Sequence, residues 1–319
     1  MTILVTGAAG FIGYHVAKAL LDRGERVLGL DNLSPYYDPA LKQARLARLE
    51  GKGFSFQRLD IARRDEVADF GRRHPEIDRI VHLAAQAGVR HSLEHPFDYV
   101  DANVTGHLTM LELGRHLPRL ENLVYASSSS VYGGNTQLPF STSDRTDDPV
   151  SLYAATKKAG EMMAVAYARL FGIKATGLRF FTVYGPWGRP DMSVFLFTKA
   201  ILEGRSIQVF NNGDMRRDFT FIDDIVQGVL ASLDRPAPGH RVYNLGNNRA
   251  EPLLRFIEVI EKAAGRKAVV ELKPMQKGDV KETFADIEDA TRDLGFKPTT
   301  PIDIGVPRFV DWYRGFYKV

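Results

Sequence analysis

A tyrosine and a lysine four positions apart, Tyr153 and Lys157, are the side chains best suited to acid–base chemistry. The surrounding segment favours a helix, in which positions i and i+4 share one face. A neighbouring ammonium favours the phenolate, so the pair predicts a tyrosine pKa below its usual value near ~10. A phenolate can take the proton of an alcohol while hydride leaves the carbon, which is the chemistry of alcohol oxidation.

A row of serines at 127–130 follows a short apolar run and precedes Val131-Tyr132-Gly133. In open parallel sheets, ligands bind beyond the carboxyl ends of the strands. The row therefore predicts a set of hydrogen-bonding hydroxyls beside the reacting alcohol. The alternative interpretation is a serine-rich loop without a ligand.

A glycine-rich loop lies near the start of the chain, with Gly7, Gly10 and Gly13 between an apolar strand and an amphipathic helix. Glycines at this spacing allow a tight turn, close approach of backbone to a pyrophosphate and close helix–strand packing. The helix is predicted to begin at Phe11 and Ile12. Its free N–H groups and positive dipole end would face the phosphates.

Acidic residues end the next two predicted strands. Asp31 ends the second strand, where a carboxylate can accept hydrogen bonds from an adenosine ribose and repel a 2′-phosphate. This position favours NAD over NADP. Asp60 and Ile61 close the third strand, where we expect an adenine edge to lie.

The composition excludes several classes of protein. The 319 residues include no cysteine and carry a net charge of +3. Disulfides and thiolate catalysis are excluded, which fits a reducing cytoplasm. We find no signal peptide, no apolar run of the ~18 residues that span a membrane and no basic cluster typical of nucleic-acid binding. His91 and His95 stand four apart, but we see no third ligand nearby and predict no metal site.

Alternating strand and helix patterns predict a doubly wound parallel sheet of the Rossmann type. The predicted strands are 3–6, 26–31, 54–59, 79–83, 123–127 and 174–179, and the helices between them are 11–23, 39–49, 64–73, 96–117 and 151–171. Shorter elements follow at 194–203, 207–210, 223–233, 242–245, 253–264 and 302–317. We interpret these as a smaller, mixed and mostly helical substrate-binding domain. The predicted domains are 1–185 and 186–319, with 211–248 partly returning to the first.

The chain resembles the extended short-chain dehydrogenases/reductases that act on nucleotide sugars. The matching segments extend over nearly the whole chain and are 7–13, 82–85, Asn103, 128–133, 153–157, 179–185 and 217–219. The resemblance implies three catalytic residues: Ser128 as the hydroxyl partner of the substrate, Tyr153 as the base and Lys157 as its support. It implies NAD as the cofactor, held by Gly7, Gly10, Phe11, Ile12, Gly13, Asp31, Asn32, Asp60, Ile61, Leu83, Ala84, Ala85, Asn103, Tyr153, Lys157 and Phe180.

Segments 32–45, 84–90 and 180–190 resemble the UDP-glucuronate 4-epimerases in particular. Relatives that dehydrate or decarboxylate the sugar carry acids where Ser129 and Ser130 stand, which counts against both reactions. The resemblance implies Thr182 and Arg189 at the substrate carboxylate, Arg217 at the diphosphate and Asp279 at the uridine ribose. The full set implied to bind substrate is Arg90, Ser128, Ser129, Ser130, Thr182, Arg189, Arg217 and Asp279. Lys281 departs from the proline expected there and puts the shape of that loop in doubt.

The predicted reaction is inversion at C4 of a UDP-uronic acid through a 4-keto sugar, with NAD regenerated in each cycle. The intermediate is a β-keto acid, so a clamp on the carboxylate is expected to suppress loss of carbon dioxide. The alternatives are an epimerase of neutral UDP-sugars, a UDP-glucuronate decarboxylase and a non-catalytic NAD-binding sensor. A sensor would not need Ser128, Tyr153 and Lys157 together. The resemblance also implies a homodimer formed through helices 96–117 and 151–171.

Overall fold

A computed structural model of the chain describes residues 1–51, 53–275 and 280–319. The strands in these ranges are β1 (Thr2–Thr6), β2 (Arg26–Asp31), β3 (Phe54–Arg58), β4 (Arg79–His82), β5 (Asn122–Ser128), β6 (Ala175–Phe180), β7 (Thr182–Tyr184), β8 (Ser206–Val209), β9 (Arg216–Arg217), β10 (Phe219–Phe221), β11 (His240–Leu245), β12 (Glu251–Pro252), β13 (Val269–Leu272) and β14 (Glu282–Thr283). The helices are α1 (Phe11–Asp22), α2 (Pro39–Ala47), α3 (Arg64–Arg73), α4 (His91–Glu94), α5 (Pro96–Tyr99), α6 (Gly106–His116), α7 (Leu152–Phe171), α8 (Ser193–Glu203), α9 (Ile222–Asp234), α10 (Leu253–Ala264), α11 (Glu288–Leu294) and α12 (Ile302–Tyr317). Within the same ranges, no helix is long and apolar enough to cross a membrane.

The central sheet has the strand order β11-β6-β5-β4-β1-β2-β3, and each neighbouring pair is parallel. In β1, Ile3, Leu4 and Val5 are all fully buried, because helices cover both faces of the sheet. Helices α1 and α9 pack on one face, and α3, α6 and α7 pack on the other. The doubly wound parallel sheet predicted from the sequence is therefore confirmed.

One helix differs from the predicted elements, and one predicted strand joins the central sheet. The helix predicted at 96–117 is interrupted by a π-helical turn, Val100–Thr105, which joins α5 to α6. The strand predicted at 242–245 is β11, which runs beside β6 as the edge strand of the central sheet. Three small sheets, β10-β7, β12-β9-β14 and β13-β8, complete the strand pairing. Several of their strands are only two or three residues long, so no periodic pattern in the sequence predicted them.

Arg45 on α2 is a fully buried arginine that joins two loops. Its guanidinium donates to the carbonyl oxygen of Ala9 at 2.9 Å and to that of Trp187 at 2.6 and 3.1 Å. It also donates to the Tyr37 hydroxyl at 2.7 Å. A buried guanidinium is costly to desolvate unless its donors are satisfied. These bonds therefore hold the loop after β7 against the loop between β1 and α1.

We expect Arg45→Ala to lower the free energy of unfolding by about 3 kcal/mol, because two buried carbonyls lose their donors and a cavity opens. The matched control is Arg72→Ala, an exposed arginine that pairs with Asp69 on the same helix, α3, for which we expect a loss below about 1 kcal/mol. Chemical denaturation followed by circular dichroism measures both. Equal losses in the two variants would contradict the role given to Arg45.

Candidate active site

Two adjoining cavities open beyond the carboxyl ends of the central strands, where α/β sheets bind ligands. The smaller, here called the cleft, has a volume of about 250 Å³ and begins at the glycine-rich loop. The larger, here called the cavity, has a volume of about 900 Å³ and reaches α8 and β8. The residues that line both are Tyr36, Ala87, Ser128, Tyr153, Phe180, Phe181, Arg189 and Met192. Tyr153 therefore stands where the two meet.

The cleft starts at the loop between β1 and α1. Gly7 has a φ of +71°, and a Cβ on Gly13 would lie 2.0 Å from the Gly7 carbonyl oxygen, so neither position accepts a side chain. Helix α1 begins at Phe11 with no side-chain cap and no acidic residue in its first turn. Its first N–H groups are therefore available to an anion, which the helix dipole also favours. This donor set fits the pyrophosphate of a dinucleotide.

Asp31 ends β2 inside the cleft and is held in place by its own contacts. Its carboxylate accepts two backbone N–H groups at 2.8 and 3.2 Å, and the Lys42 ammonium lies 3.8 Å away. Burial lowers the pKa of Lys42, and the charge of Asp31 offsets part of this effect. Asn32 donates to Asp60 at 2.9 Å, which links the ends of β2 and β3 along the wall of the cleft.

All the residues predicted to bind the cofactor line the cleft, except Asn103. Asn103 is buried, and its amide bonds the N–H of Gln86 at 2.8 Å, the carbonyl of Gln86 at 3.0 Å and the hydroxyl of Thr156 at 3.1 Å. Asn103 therefore ties the loop after β4 to α7 instead of facing the cleft. Lys42 and Gln86 line the cleft although sequence reasoning did not assign them.

Tyr153 and Lys157 are neighbours on α7. The Lys157 ammonium donates to the carbonyl of Ala126 at 2.9 Å and lies 5.9 Å from the centre of the Tyr153 ring. The lowered tyrosine pKa predicted from the sequence is wrong. Burial raises the pKa of Tyr153, and hydrogen bonding with Ser128 and the charge of Arg189 offset this only in part. Burial also lowers the pKa of Lys157 to about 8.

Helix α7 is fixed at its start and along its buried face. The Ser151 hydroxyl caps the helix by accepting the N–H of Ala154 at 3.1 Å. Further along, Glu161 forms a buried ion pair with Arg179 through two bonds of 2.8 Å, and the Ser127 hydroxyl donates to it at 2.7 Å. These bonds hold the helix against the ends of β5 and β6, so the tyrosine and the serine row keep a constant separation.

Every described residue that was predicted to bind substrate lines the cavity. These are Arg90, Ser128, Ser129, Ser130, Thr182, Arg189 and Arg217, whereas Asp279 lies outside the described residues. The Ser128 hydroxyl bonds the backbone N–H and the hydroxyl of Ser130, both at 3.2 Å. The Arg90 guanidinium lies 5.0 Å from the centre of the Phe210 ring. The loop after β4 and the segment after β8 thus meet over the cavity.

Asp191 is a residue of the cavity that sequence reasoning missed. Its two carboxylate oxygens accept hydrogen bonds from Arg189 at 3.0 and 2.8 Å, and the Tyr36 hydroxyl donates to it at 3.1 Å. Burial would raise the pKa of Asp191, but the charge and hydrogen bonds of Arg189, together with the hydrogen bond from Tyr36, hold that pKa below its usual value. The sequence did contain a signal for this residue, because Asp191 stands two positions after Arg189, which was predicted to bind the carboxylate.

The structure places Asp98 beside the two histidines considered as metal ligands. The rings of His91 and His95 stack with centres 4.3 Å apart, and His91 Nε2 lies 3.4 Å from an Asp98 oxygen. One ligand atom from each residue lies within 4.8 Å of the others. The premise that no third ligand stands nearby is therefore wrong. The prediction of no metal site stays a prediction.

Comparison with known proteins places the chain in a family. Residues 3–246 match the model of the NAD dependent epimerase/dehydratase family. The chain belongs to this family. It is 48% identical to UDP-glucuronate 4-epimerase 4 of Arabidopsis thaliana, over 100% of this chain and 76% of the plant protein. It is also 48% identical to protein CapI of Staphylococcus aureus over 100% of both chains.

A solved structure agrees with this placement. UDP-glucuronic acid 4-epimerase from Bacillus cereus, in complex with UDP-glucuronic acid and NAD, matches with a TM-score of 0.93 and 35% identity, over 99% of this chain and 100% of that one. The resemblance to nucleotide-sugar short-chain dehydrogenases/reductases is therefore confirmed, as is NAD as the cofactor. In the cleft, the N–H groups at the start of α1 suit its pyrophosphate and Asp31 suits its adenosine ribose.

We expect Asp31→Asn to raise the Kd for NAD about tenfold and to narrow the preference for NAD over NADP, because the variant loses the charge that binds the ribose and repels a 2′-phosphate. Calorimetric titration of cofactor-stripped protein measures the Kd for NAD and the Kd for NADP. The control is Asp22→Asn, an exposed aspartate on α1 that pairs with Lys18. An unchanged Kd for NAD would remove Asp31 from the cofactor site.

Proposed function

We propose that this chain inverts C4 of UDP-glucuronate and thereby interconverts it with UDP-galacturonate. The observation that carries the proposal is the junction of cleft and cavity, where Ser128, Tyr153 and Arg189 line both spaces. A base, a hydroxyl partner and a guanidinium can then act on one sugar. Relatives named UDP-glucuronate 4-epimerases support the same reaction.

The proton chemistry belongs to Tyr153. It takes the proton of the C4 hydroxyl, which Ser128 holds by a hydrogen bond, and gives it back after the sugar has turned. NAD, when bound, supplies the hydride acceptor and then the hydride donor for C4. Because burial disfavours the phenolate, neighbouring groups must stabilise it as it forms. The charge of Arg189 lowers the pKa of Tyr153, and the Lys157 ammonium lies 5.9 Å from the centre of its ring. The cavity, at about 900 Å³, gives the 4-keto sugar room to turn.

We assign the carboxylate of the sugar to Thr182, Arg189 and the hydroxyls of 128–130. A guanidinium and hydroxyl groups suit a carboxylate because they donate to both of its oxygens. Asp191 is the one acidic residue among the described residues that line the cavity. Its ion pair with Arg189 disfavours a role as proton donor in dehydration or decarboxylation. A held carboxylate stays near the plane of the 4-keto group, where carbon–carbon cleavage is poorly aligned.

We assign NAD to residues 1–185 and the nucleotide half of the substrate to residues 186–319, with 211–248 partly returning to the first domain. Arg205 and Arg217 line the end of the cavity near β8 and β9 and offer cations to a diphosphate. Arg217 is the proposed contact of the diphosphate. Asp279 is the proposed contact of the uridine ribose.

The decisive assay incubates the protein with UDP-glucuronate and catalytic NAD and follows the products by proton NMR. We expect UDP-galacturonate with no net NADH. Tyr153→Phe is expected to lower kcat about a thousandfold, because the general base is lost. Unchanged NAD binding in that variant would show that its cleft is intact.

Each alternative function has its own outcome in this assay. A 4-keto pentose product would indicate a decarboxylase. Turnover of UDP-glucose or UDP-galactose but not of UDP-glucuronate would cancel the roles given to Thr182 and Arg189. NAD binding by the wild-type protein with no turnover of any UDP-sugar would favour the non-catalytic sensor.

We also propose that the chain forms a homodimer in the cytoplasm. Apolar side chains stand exposed on the helices predicted to pair: Phe97 at 79% on α5, and Met162 at 57% and Leu170 at 73% on α7. Exposed apolar groups clustered on packed neighbouring helices are typical of an interface. The absence of cysteine from the sequence fits a reducing compartment.

The dimer is tested by light scattering after gel filtration. We expect the wild-type protein to elute as a dimer and the double variant Met162→Lys, Leu170→Lys to elute as a monomer, because two charges would be buried without partners. The control, Leu272→Lys, changes a leucine of β13 that is 56% exposed and should leave the dimer intact. A monomeric wild-type protein would refute the proposal.

A further inference from the structure

Arg189 is held along one edge of its guanidinium. Its Nε donates to one oxygen of Asp191 at 3.0 Å and its Nη2 to the other at 2.8 Å. This side-on arrangement occupies both oxygens of the carboxylate and fixes the plane of the guanidinium. Nη1 takes no part in these bonds, so one edge of Arg189 is committed to the protein and the other is left for a ligand.

Asp191 is itself held from a separate part of the chain. The Tyr36 hydroxyl, from the segment after β2, donates to the same oxygen that Nη2 contacts, at 3.1 Å. Gly88, with a φ of +101°, makes room for this hydroxyl, because a Cβ there would lie 2.5 Å from the Tyr36 oxygen. Burial raises the pKa of Tyr36 to about 12, so it acts as a hydrogen-bond donor at neutral pH.

Tyr36 and Arg189 line both cleft and cavity, and Asp191 lines the cavity. The chain Tyr36–Asp191–Arg189 therefore crosses the junction where Tyr153 stands. We propose that Asp191, supported by Tyr36, is a positioning and specificity-determining residue: it orients the outward edge of Arg189 onto the carboxylate of the sugar and so keeps that carboxylate from leaving as carbon dioxide. The inference rests on the proposed function.

Competition with the substrate for Arg189 is the opposite role for Asp191, and it gives different products. If Asp191 merely competed with the substrate for Arg189, its removal would free the guanidinium, tighten binding of UDP-glucuronate and leave the products clean. If Asp191 positions Arg189, its removal lets the guanidinium rotate. The carboxylate then leaves the plane of the 4-keto group more often, and the decarboxylated fraction rises.

The experiment compares wild-type protein, Asp191→Asn and Arg189→Ala with UDP-glucuronate and NAD, and measures the ratio of pentose to hexuronate products by NMR. We expect Asp191→Asn to raise this ratio about tenfold, with KM changed less than the ratio, because orientation and not contact is lost. Arg189→Ala removes the contact itself, so we expect it to raise both the product ratio and KM more than Asp191→Asn does. Asp191→Glu, which keeps a carboxylate, should bring the product ratio part of the way back to the wild-type value. A lower KM with an unchanged ratio in Asp191→Asn would overturn the proposal.

A pH profile separates positioning from a general loss of structure. The charge of Asp191 raises the pKa of Tyr153 and that of Arg189 lowers it. Asp191→Asn removes the negative charge and keeps Arg189, so the pKa of Tyr153 should fall. The rising limb of the pH–activity profile should then move to lower pH. A limb that does not move, with a product ratio equal to wild type, would also overturn the proposal. The matched control is Asp223→Asn, an exposed aspartate that pairs with Arg308 at 3.0 Å, for which neither quantity should change.

These outcomes are distinct from failure of the proposed function. If the wild-type protein does not convert UDP-glucuronate, the proposed reaction fails before any variant is compared. If it does and Asp191→Asn gives wild-type products with a wild-type pH profile, the reaction stands and the positioning role falls.

Discussion

The geometry of the site depends on one buried cation, Arg45. Its side chain is fully buried, so each donor that lacks an acceptor would carry a large desolvation cost. The acceptors are backbone carbonyls of two loops: Ala9 in the first, and Trp187 and Gly188 in the second. The first loop forms the start of the cleft, and the second leads directly into Arg189. The two halves of the site are therefore held together by hydrogen bonds to backbone, which tolerate changes of side chain in either loop but not displacement of the loops.

Burial at the junction moves the pKa values of the catalytic pair in opposite directions. The pKa of Tyr153 rises and that of Lys157 falls to about 8, since a low-dielectric site disfavours both the phenolate and the ammonium. Burial thus works against the phenolate, which the surrounding groups must stabilise as the proton moves. Hydrogen bonding with Ser128 and the charge of Arg189 act in that direction. Arg189, proposed to bind the substrate carboxylate, thus also bears on the basicity of the tyrosine.

The sequence predicted what local sterics and periodicity determine. The loop at Gly7 and Gly13 follows from contacts that a Cβ would violate, and α10 and α12 have the predicted bounds because their apolar faces repeat regularly. The pairing of β11 with β6, the turn of the backbone that carries Asn103 inward and the partners of Asp191 depend on residues far apart in the chain. The prediction of the tyrosine pKa is wrong for the same reason, because the neighbouring lysine is visible in the sequence but the depth of burial is not.

Under the proposed function, the charges around the cavity offer a physical reason for preferring an acidic sugar. Its described lining contains four arginines, Arg90, Arg189, Arg205 and Arg217, and one aspartate, Asp191. Arg205 pairs with Glu203, and Arg189 pairs with Asp191. A UDP-uronic acid carries one negative charge on each phosphate and one on its carboxylate, so a lining rich in arginine attracts it more strongly than it attracts a neutral UDP-sugar. Asp191 also acts on this attraction, because its two oxygens hold the guanidinium of Arg189. In the proposed role, the aspartate lowers the net attraction but orients the guanidinium. The by-product of the proposed reaction arises from a misoriented carboxylate, so orientation matters more than the strength of attraction.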